Sequence, residues 1–121
     1  MTAPGAIYVV DDEPEVRKGL ERLLRAAGWE VRAFFSADEF LSALQAAPPR
    51  CVILDYHMPG VNGLELQDLM VARGSTVPVV YLSGSLDIAD LSHPAFRQAE
   101  FLVKPAQREH LLAAVERAIA R

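Results

Sequence analysis

Five short apolar runs, separated by stretches of helical periodicity, constrain the fold of this chain more than any other feature. The runs are predicted strands at residues 7–10, 29–34, 51–54, 77–82 and 101–103. Between them, apolar residues recur three or four positions apart, which is typical of helices with one buried face. A strand that is apolar throughout is buried on both of its faces. The pattern therefore predicts an α/β fold: a five-stranded parallel sheet with helices on both sides.

The predicted helices begin at residues that commonly stand at helix ends. Pro14 suits the first turn of the first helix, and Ser36 caps the second. Residues 62–63 lead into a third helix, and residues 107–121 form the last one. The chain has 121 residues with no repeat and no linker, so a single domain over 1–121 is expected.

The charge and the single cysteine exclude several classes of protein. The net charge is −4, which argues against a direct nucleic-acid partner because phosphate binding needs a basic surface. No apolar segment approaches the ~20 residues that span a bilayer, and the N-terminus lacks the basic region of a signal peptide. Cys51 has no partner for an internal disulfide and is interpreted as a buried, reduced thiol. A cytoplasmic protein without a membrane partner is expected.

Polar residues stand at the predicted carboxyl ends of four of the five strands. They are Asp11, Asp12 and Glu13 after the first strand, Asp55 after the third, Ser83 and Gly84 after the fourth, and Lys104 and Pro105 after the fifth. In open parallel sheets, ligands bind beyond these ends, so the fold would bring the residues to one edge. A functional site is expected at that edge.

Each of these residues also has a simpler explanation. Asp11 or Asp12 could cap the first helix, and Asp55 could start a turn. Ser83 could be an ordinary strand-end hydroxyl, and Lys104 a solvated surface lysine. Their combination favours a site, since crowded carboxylates repel one another and a divalent cation relieves that repulsion. A small number of carboxylates together with a substrate phosphate is typical of a Mg²⁺ site. A lysine and a hydroxyl are suited to binding a phosphoryl group.

Five separated segments together resemble the receiver domain of bacterial two-component response regulators. They are 10–14 (VDDEP), 55–60 (DYHMPG), 62–65 (NGLE), 83–84 (SG) and 101–105 (FLVKP), and the resemblance covers essentially all 121 residues. Residues 28–31, 36–41 and 62–67 are most similar to the FixJ-like branch, whose members usually carry a LuxR-type helix-turn-helix output domain and regulate transcription. The resemblance implies a flavodoxin-like, CheY-like doubly wound (βα)5 three-layer sandwich with strand order 2-1-3-4-5.

The resemblance also implies a phosphoacceptor at Asp55. In receivers, the aspartate that ends the third strand takes a phosphoryl group from a sensor histidine kinase and forms an acyl phosphate. Asp11 and Asp12, with Asp55 and the backbone carbonyl of His57, would bind the Mg²⁺ that this transfer needs. Such a domain catalyses only its own phosphorylation and dephosphorylation, so it is not expected to be an enzyme in the usual sense.

Three further residues take roles from the resemblance. Lys104 and Ser83 would contact the phosphoryl group, and Ser83 would draw the end of the fourth strand toward it. Phe101 matches the aromatic switch whose rotamer follows that motion, so Ser83 and Phe101 form the predicted switch. A cis peptide bond is implied between Lys104 and Pro105. A homodimer and the output would use the face made by the fourth helix, the fifth strand and the last helix.

The chain departs from the family pattern at the switch and in the fourth helix. Ser83 stands where this branch commonly has threonine, so the hydroxyl is kept and the stiffer β-branched side chain is lost. His93-Pro94 falls in the middle of segment 84–100, and proline in a helix interior costs about 3 kcal/mol. A short, broken or displaced fourth helix is therefore predicted, and the dimerisation face is expected to be altered.

Three other interpretations stay open at this point. A phosphatase of the haloacid-dehalogenase type also uses a strand-end aspartate and Mg²⁺, but its second acid would fall at His57, and the pair Asp11-Asp12 has no place in that mechanism. A receiver-fold interaction module that is not phosphorylated would be expected to lack Asp55, Lys104 or the acid pair. A flavodoxin-like cofactor binder needs a phosphate-cradling loop after the first strand, where acids stand instead.

The side chains next to Asp55 have predicted places without a catalytic role. The His57 imidazole is expected at the mouth of the pocket, where it could tune the access of water or of the phosphodonor. Tyr56 is expected to line the pocket or its rim.

Overall fold

A parallel sheet of five strands forms the centre of the fold, as the alternation of apolar runs predicts. The computed structural model describes residues 5–58, 60–84 and 99–120. The sheet strands in these ranges are β1 (Ala6–Val10), β2 (Glu30–Phe34), β3 (Cys51–Asp55), β4 (Val79–Ser83) and β5 (Glu100–Val103), and the helices are α1 (Pro14–Ala26), α2 (Ala37–Ala46), α3 (Gly63–Ala72) and α4 (Arg108–Ala120). The strands lie in the order β2-β1-β3-β4-β5, and each neighbouring pair is parallel. This is the doubly wound order that the resemblance implies.

Two apolar layers enclose the sheet. Strand residues alternate between the layers because successive side chains point to opposite faces. On one face, Tyr8, Leu54 and Tyr81 pack with residues of α2 and α3. On the other face, Val9 and Ile53 pack with residues of α1 and α4. The helices therefore cover both faces, and the loops at the carboxyl edge of the sheet are left to build a site.

The ends of β3 and β4 lie one residue further along the chain than predicted. Asp55 and Ser83 both take part in the ladder and are the last residues of their strands. β4 begins at Val79 rather than at residue 77. Pro78 lacks the N–H that a ladder position uses, which explains the later start. β1 and β5 each begin one residue earlier than predicted, and β2 and α4 one residue later.

Capping side chains fix where α2 and α3 begin. The Ser36 hydroxyl accepts a hydrogen bond from the backbone N–H of Glu39 at 3.3 Å, as its predicted N-cap role requires. At α3, the Asn62 side chain accepts from the N–H of Glu65 at 2.9 Å, and the Glu65 side chain accepts from the N–H of Asn62. This capping box anchors the end of the loop between β3 and α3.

One predicted element lies outside the described residues. It is the helix expected within 84–100 with its break at His93-Pro94, and its part of the predicted dimerisation face lies outside them too. Of that face, the described part comprises the edge strand β5 and helix α4. None of the helices in the described ranges has the length and apolar character that crossing a membrane requires.

Candidate functional site

Four acidic side chains converge where β1 and β3 end. Asp11, Asp12 and Glu13 follow β1, and Asp55 ends β3. One carboxylate oxygen from each lies within 4.8 Å of the other three. Asp11 and Asp55 are 1% and 4% exposed, whereas the Glu13 side chain reaches solvent. The structure thus brings together the three predicted acidic metal ligands, Asp11, Asp12 and Asp55, and adds Glu13 to them.

Lys104 reaches from the end of β5 into this acidic cluster. Its Nζ lies 3.0 Å from Asp11 Oδ2, 3.4 Å from Asp55 Oδ1 and 3.3 Å from Glu13 Oε1. The Lys104 side chain is only 16% exposed, so the ammonium is held largely out of water. The backbone N–H of Lys104 donates to the Ser83 carbonyl at 2.7 Å, which fixes this residue beside the end of β4. One cation therefore balances part of the charge of three carboxylates.

The pKa of Asp55 lies above its ordinary value. The pKa of Asp55 is raised to about 6 when all its neighbours are taken together. Burial is the largest cause of the rise, and the Asp11 carboxylate is the second. The N–H of His57, which donates to Asp55 Oδ1 at 3.2 Å, and the Lys104 ammonium lower this pKa. A hydrogen bond with Asp12 contributes a smaller rise. Without a metal ion, a fraction of Asp55 therefore carries a proton near neutral pH.

The same neighbours act on Lys104. Burial by itself lowers the pKa of the Lys104 ammonium. The hydrogen bond and charge of Asp11, with smaller contributions from Asp55 and Glu13, outweigh burial, so the pKa of Lys104 lies above its ordinary value. Lys104 is therefore charged throughout the neutral range, which a lysine that binds a phosphoryl group has to be.

The acidic cluster has the donors that a magnesium ion needs. Mg²⁺ takes carboxylate and carbonyl oxygens and keeps several waters, so a few protein ligands suffice. Asp11 Oδ2 is buried and lies 3.0 Å from the Lys104 ammonium, which also contacts Asp55 and Glu13. One ammonium shared by three carboxylates leaves negative charge uncompensated in a largely buried site, and a bound cation would offset that charge. Asp11, Asp12 and Asp55 therefore fit the metal-binding role predicted for them.

The two predicted switch residues are connected through Tyr81, which stacks on Phe101 and lies in the strand that ends at Ser83. Ser83 is fully buried at the end of β4. Phe101 is half-buried in β5 and pairs in register with Tyr81, which stands two residues before Ser83. The rings of Phe101 and Tyr81 stack with their centroids 5.1 Å apart. The Lys104–Pro105 peptide bond that follows β5 is cis, as the resemblance implies.

The two side chains that follow Asp55 have opposite surroundings. Tyr56 was expected to line the pocket or its rim; it is 4% exposed and belongs to the apolar core, which excludes the rim. His57 is exposed, as predicted for a side chain at the mouth of the pocket. In an extended chain Leu54 and Tyr56 face the same layer, and this alternation is the sequence signal that could have predicted the burial of Tyr56.

Glu13 was expected at this edge of the sheet but was given no role there, and the structure places its carboxylate in the acidic cluster. It is the N-cap of α1, but its side chain makes no capping hydrogen bond. The backbone N–H of Glu13 donates to Asp11 Oδ1 at 2.9 Å. The Glu13 carboxylate contacts the Lys104 ammonium. Its place next to two predicted metal ligands was the available signal.

Comparison with known sequences points to one family. The family model of the response regulator receiver domain matches residues 7–116. Transcriptional regulatory protein FixJ of Bradyrhizobium diazoefficiens is 39% identical over 121 residues, which are 98% of this chain and 58% of that protein. Transcriptional regulatory protein TdiR of Thauera aromatica is 40% identical over 116 residues, which are 94% of this chain and 51% of that protein. The chain therefore spans only about half to three fifths of the length of these relatives.

Comparison with solved structures agrees with the sequence match. Full-length FixJ from B. japonicum superimposes with a TM-score of 0.86 at 39% identity, over 98% of this chain and 59% of that one. The matched residues include the strand ends that bring Asp11, Asp55 and Lys104 together. The chain belongs to the response regulator receiver domain family.

Proposed function

We propose that Asp55 is the residue of this receiver domain that becomes phosphorylated. The observation that carries the proposal is the Lys104 ammonium, 3.4 Å from Asp55 Oδ1 in a largely buried site. In the reaction, a carboxylate oxygen of Asp55 attacks the phosphorus of a phosphohistidine, and the bond from phosphorus to the donor nitrogen breaks. The product is an acyl phosphate on Asp55, and the donor leaves as a histidine side chain.

Metal binding is part of the same proposal. Asp11, Asp12 and Asp55 would hold Mg²⁺, with the backbone carbonyl of His57 as a further ligand. Bound there, the ion supplies positive charge for the oxygens of the transferring phosphoryl group. Asp55 has to be ionised in order to attack, and the Lys104 ammonium and the N–H of His57 both favour that form.

Lys104, Ser83 and Phe101 would act after the transfer. The phosphoryl group adds about −1.5 to −2 charge and strong acceptor oxygens to the site. Lys104 would then exchange part of its contact with the carboxylates for a phosphoryl oxygen, and the Ser83 hydroxyl would donate to another. When the end of β4 moves toward Asp55, the Phe101 side chain would change its rotamer. The stacking of Phe101 on Tyr81, in the strand that carries Ser83, supports this link.

The proposed setting is two-component signalling. The donor would be a sensor histidine kinase, and the receiver would act in the cytoplasm as part of a transcription regulator with an output domain. FixJ and TdiR are transcriptional regulatory proteins, and the chain corresponds to about half of each, which supports this setting. A homodimer would use the face that includes β5 and α4. Hydrolysis would remove the phosphoryl group from Asp55, and water is the only further reactant that this step needs.

A phosphate-affinity gel tests the proposal. Incubation with acetyl phosphate and Mg²⁺ should give a retarded band in the wild type, and the band should be absent with EDTA and in Asp55→Asn. Asp68→Asn, which removes an exposed acid from α3, is the matched control and should be retarded like the wild type. The absence of a retarded wild-type band with acetyl phosphate and with phosphoramidate would overturn the proposal.

A further inference from the structure

A buried tyrosine hydroxyl connects β4 to α3. Tyr81 is 0% exposed. Its hydroxyl donates to Gln67 Oε1 at 2.6 Å and lies 3.4 Å from the Gly63 carbonyl at the start of the same helix. Phenylalanine would fill almost the same volume, and burying a hydroxyl is costly unless it finds a partner. The hydroxyl therefore contributes a contact between β4 and α3 that packing alone would not need.

The proton of this hydroxyl stays in place. Burial raises the pKa of Tyr81 far above its ordinary value, and the neighbouring Tyr56 and Asp68 raise it further. Tyr81 therefore keeps its proton in the neutral range, where it donates a hydrogen bond to α3. A neutral buried donor of this kind holds its acceptor in a defined position.

Two further rings pack on Tyr81. Phe101 stacks on it with an angle of 21° between the planes. Tyr56 meets Tyr81 edge-on, with centroids 5.8 Å apart, and lies 6.3 Å from Phe101. The three rings come from different parts of the sheet, because Tyr56 follows β3, Tyr81 lies in β4 and Phe101 lies in β5. They form a layer of aromatic contacts next to the acidic cluster.

Tyr56 gives α3 a second contact with this layer. The backbone N–H of Gly63 donates to the Tyr56 carbonyl at 2.8 Å, and the N–H of Tyr56 donates to the Leu82 carbonyl at 2.8 Å. A Cβ added at Gly63 would lie 2.3 Å from Cδ1 of Tyr56, so the ring lies directly against the start of α3. The first turns of α3 are therefore fixed to the rings at two points, Gly63 and Gln67.

We propose that Tyr81 is a tether that passes a displacement of the β4 end to α3. The tether rests on the proposed function, in which a phosphoryl group on Asp55 draws Ser83 toward it. Tyr81 and Ser83 lie in one strand with ladder partners on both sides, so their backbones move together. Because the Tyr81 hydroxyl donates a hydrogen bond to Gln67, a movement of the β4 end changes the surroundings of the first turns of α3. Helix α3 then belongs to the responding surface of the domain, in addition to β5 and α4.

Hydrogen exchange measured by mass spectrometry on the whole chain tests the tether. In the wild type, acetyl phosphate with Mg²⁺ should change the exchange rates of residues 66–70 by about two- to tenfold, the range that one hydrogen bond spans. Tyr81→Phe keeps the ring and removes the donor, and Gln67→Leu removes the acceptor. Either should abolish most of the change in α3 while the change in residues 79–83 remains. The double variant should match the single ones, because all three remove the same contact.

A second buried tyrosine provides the matched control. Tyr8 is 2% exposed in the same core cluster, and its hydroxyl donates to the Ala47 carbonyl at the opposite edge of the sheet. Tyr8→Phe should therefore keep the wild-type response of α3. If phosphorylated Tyr81→Phe responds in α3 as the wild type does, the tether is overturned.

A phosphate-affinity gel run on the same samples separates the two proposals. A wild type that is not phosphorylated would refute the proposed function, and the tether is then decided in the unphosphorylated protein. There, exchange of residues 66–70 should be at least about twofold faster in Tyr81→Phe than in the wild type and in Tyr8→Phe. Equal rates would overturn the tether.

Discussion

Lys104 Nζ lies 3.0 Å from Asp11 Oδ2 and is the positive neighbour of this buried carboxylate. In the metal-free protein, the lysine is therefore the counter-charge of the acidic cluster. An ammonium on a flexible four-carbon stem can turn to another anion when a second cation arrives. This relationship is compatible with the proposed function, in which the site would bind a metal ion and then a phosphoryl group. It also determines how the metal-free protein should respond to mutation.

Lys104→Met should destabilise the metal-free protein. The change leaves Asp11 and Asp55 buried without their positive neighbour, and breaking a buried pair in this way is costly. We expect the free energy of unfolding, measured by urea denaturation in EDTA at about pH 8, to fall by about 1–3 kcal/mol. The loss should be smaller at about pH 5, below the pKa of Asp55 of about 6, because Asp55 can then take up a proton.

Lys18→Met is the control for Lys104→Met. Lys18 is exposed on α1, so the same change of side chain there should alter the free energy of unfolding by less than about 0.5 kcal/mol. Equal losses in the two variants would contradict the role of Lys104 as the counter-charge of the cluster.

Asp55→Asn should stabilise the metal-free protein at neutral pH. In the folded state the pKa of Asp55 is about 6, above its ordinary value of 3.8, so the folded state holds the proton more tightly than the unfolded state. Ionisation of Asp55 therefore costs stability as the pH rises from about 4 to about 6, and the cost is constant above that. Asparagine has no charge to bury, so we expect a gain of about 1–3 kcal/mol at about pH 7.5.

Urea denaturation in EDTA at a series of pH values checks this expectation. The difference between Asp55→Asn and the wild type should shrink as the pH falls below about 6 and should approach zero only near about pH 3, below the ordinary pKa, where Asp55 is protonated in both states. A gain in stability that did not depend on pH would show that repacking, rather than the buried charge, is responsible.

The fold could be predicted because its two strongest signals are local. Apolar runs and helix periodicity are properties of neighbouring residues, and they place five strands and most helix starts. The exact strand ends depend on ladder partners far along the chain, as the pairing of Ser83 with Val103 illustrates. Pro78 is a local signal that would have corrected the start of β4, since proline cannot donate to a ladder.

The site was predictable to the extent that it depends on strand ends. Asp11, Asp55 and Lys104 converge because parallel strands share one carboxyl edge. The directions of individual side chains were harder to predict. The Glu13 carboxylate lies 3.3 Å from the Lys104 ammonium, a contact with a residue far along the chain. Tyr81 looks like any apolar strand residue until its hydroxyl is found 2.6 Å from Gln67.

Asp12→Asn should weaken Mg²⁺ binding while the fold is retained. Asparagine keeps an oxygen ligand but loses the negative charge that helps to hold the ion. Isothermal titration calorimetry with MgCl₂ should show an affinity at least about tenfold lower, which corresponds to about 1.4 kcal/mol for the lost charge. Glu116→Gln removes an exposed acid from α4 and should bind Mg²⁺ like the wild type. An equal loss in both variants would mean that net charge, rather than a defined site, controls binding.

Two glycine substitutions should have effects of opposite sign. A Cβ at Gly63 would lie 2.3 Å from Cδ1 and 2.7 Å from Cε1 of Tyr56, so Gly63→Ala forces the ring or the start of α3 to move. We expect urea denaturation to show a loss of about 1–3 kcal/mol. Gly19 lies inside α1 with nothing within 4 Å of an added Cβ, so Gly19→Ala should stabilise the protein by up to about 1 kcal/mol through helix propensity. A stable Gly63→Ala variant would mean that Tyr56 is not held against α3, and it would remove one of the two contacts that connect this helix to the site.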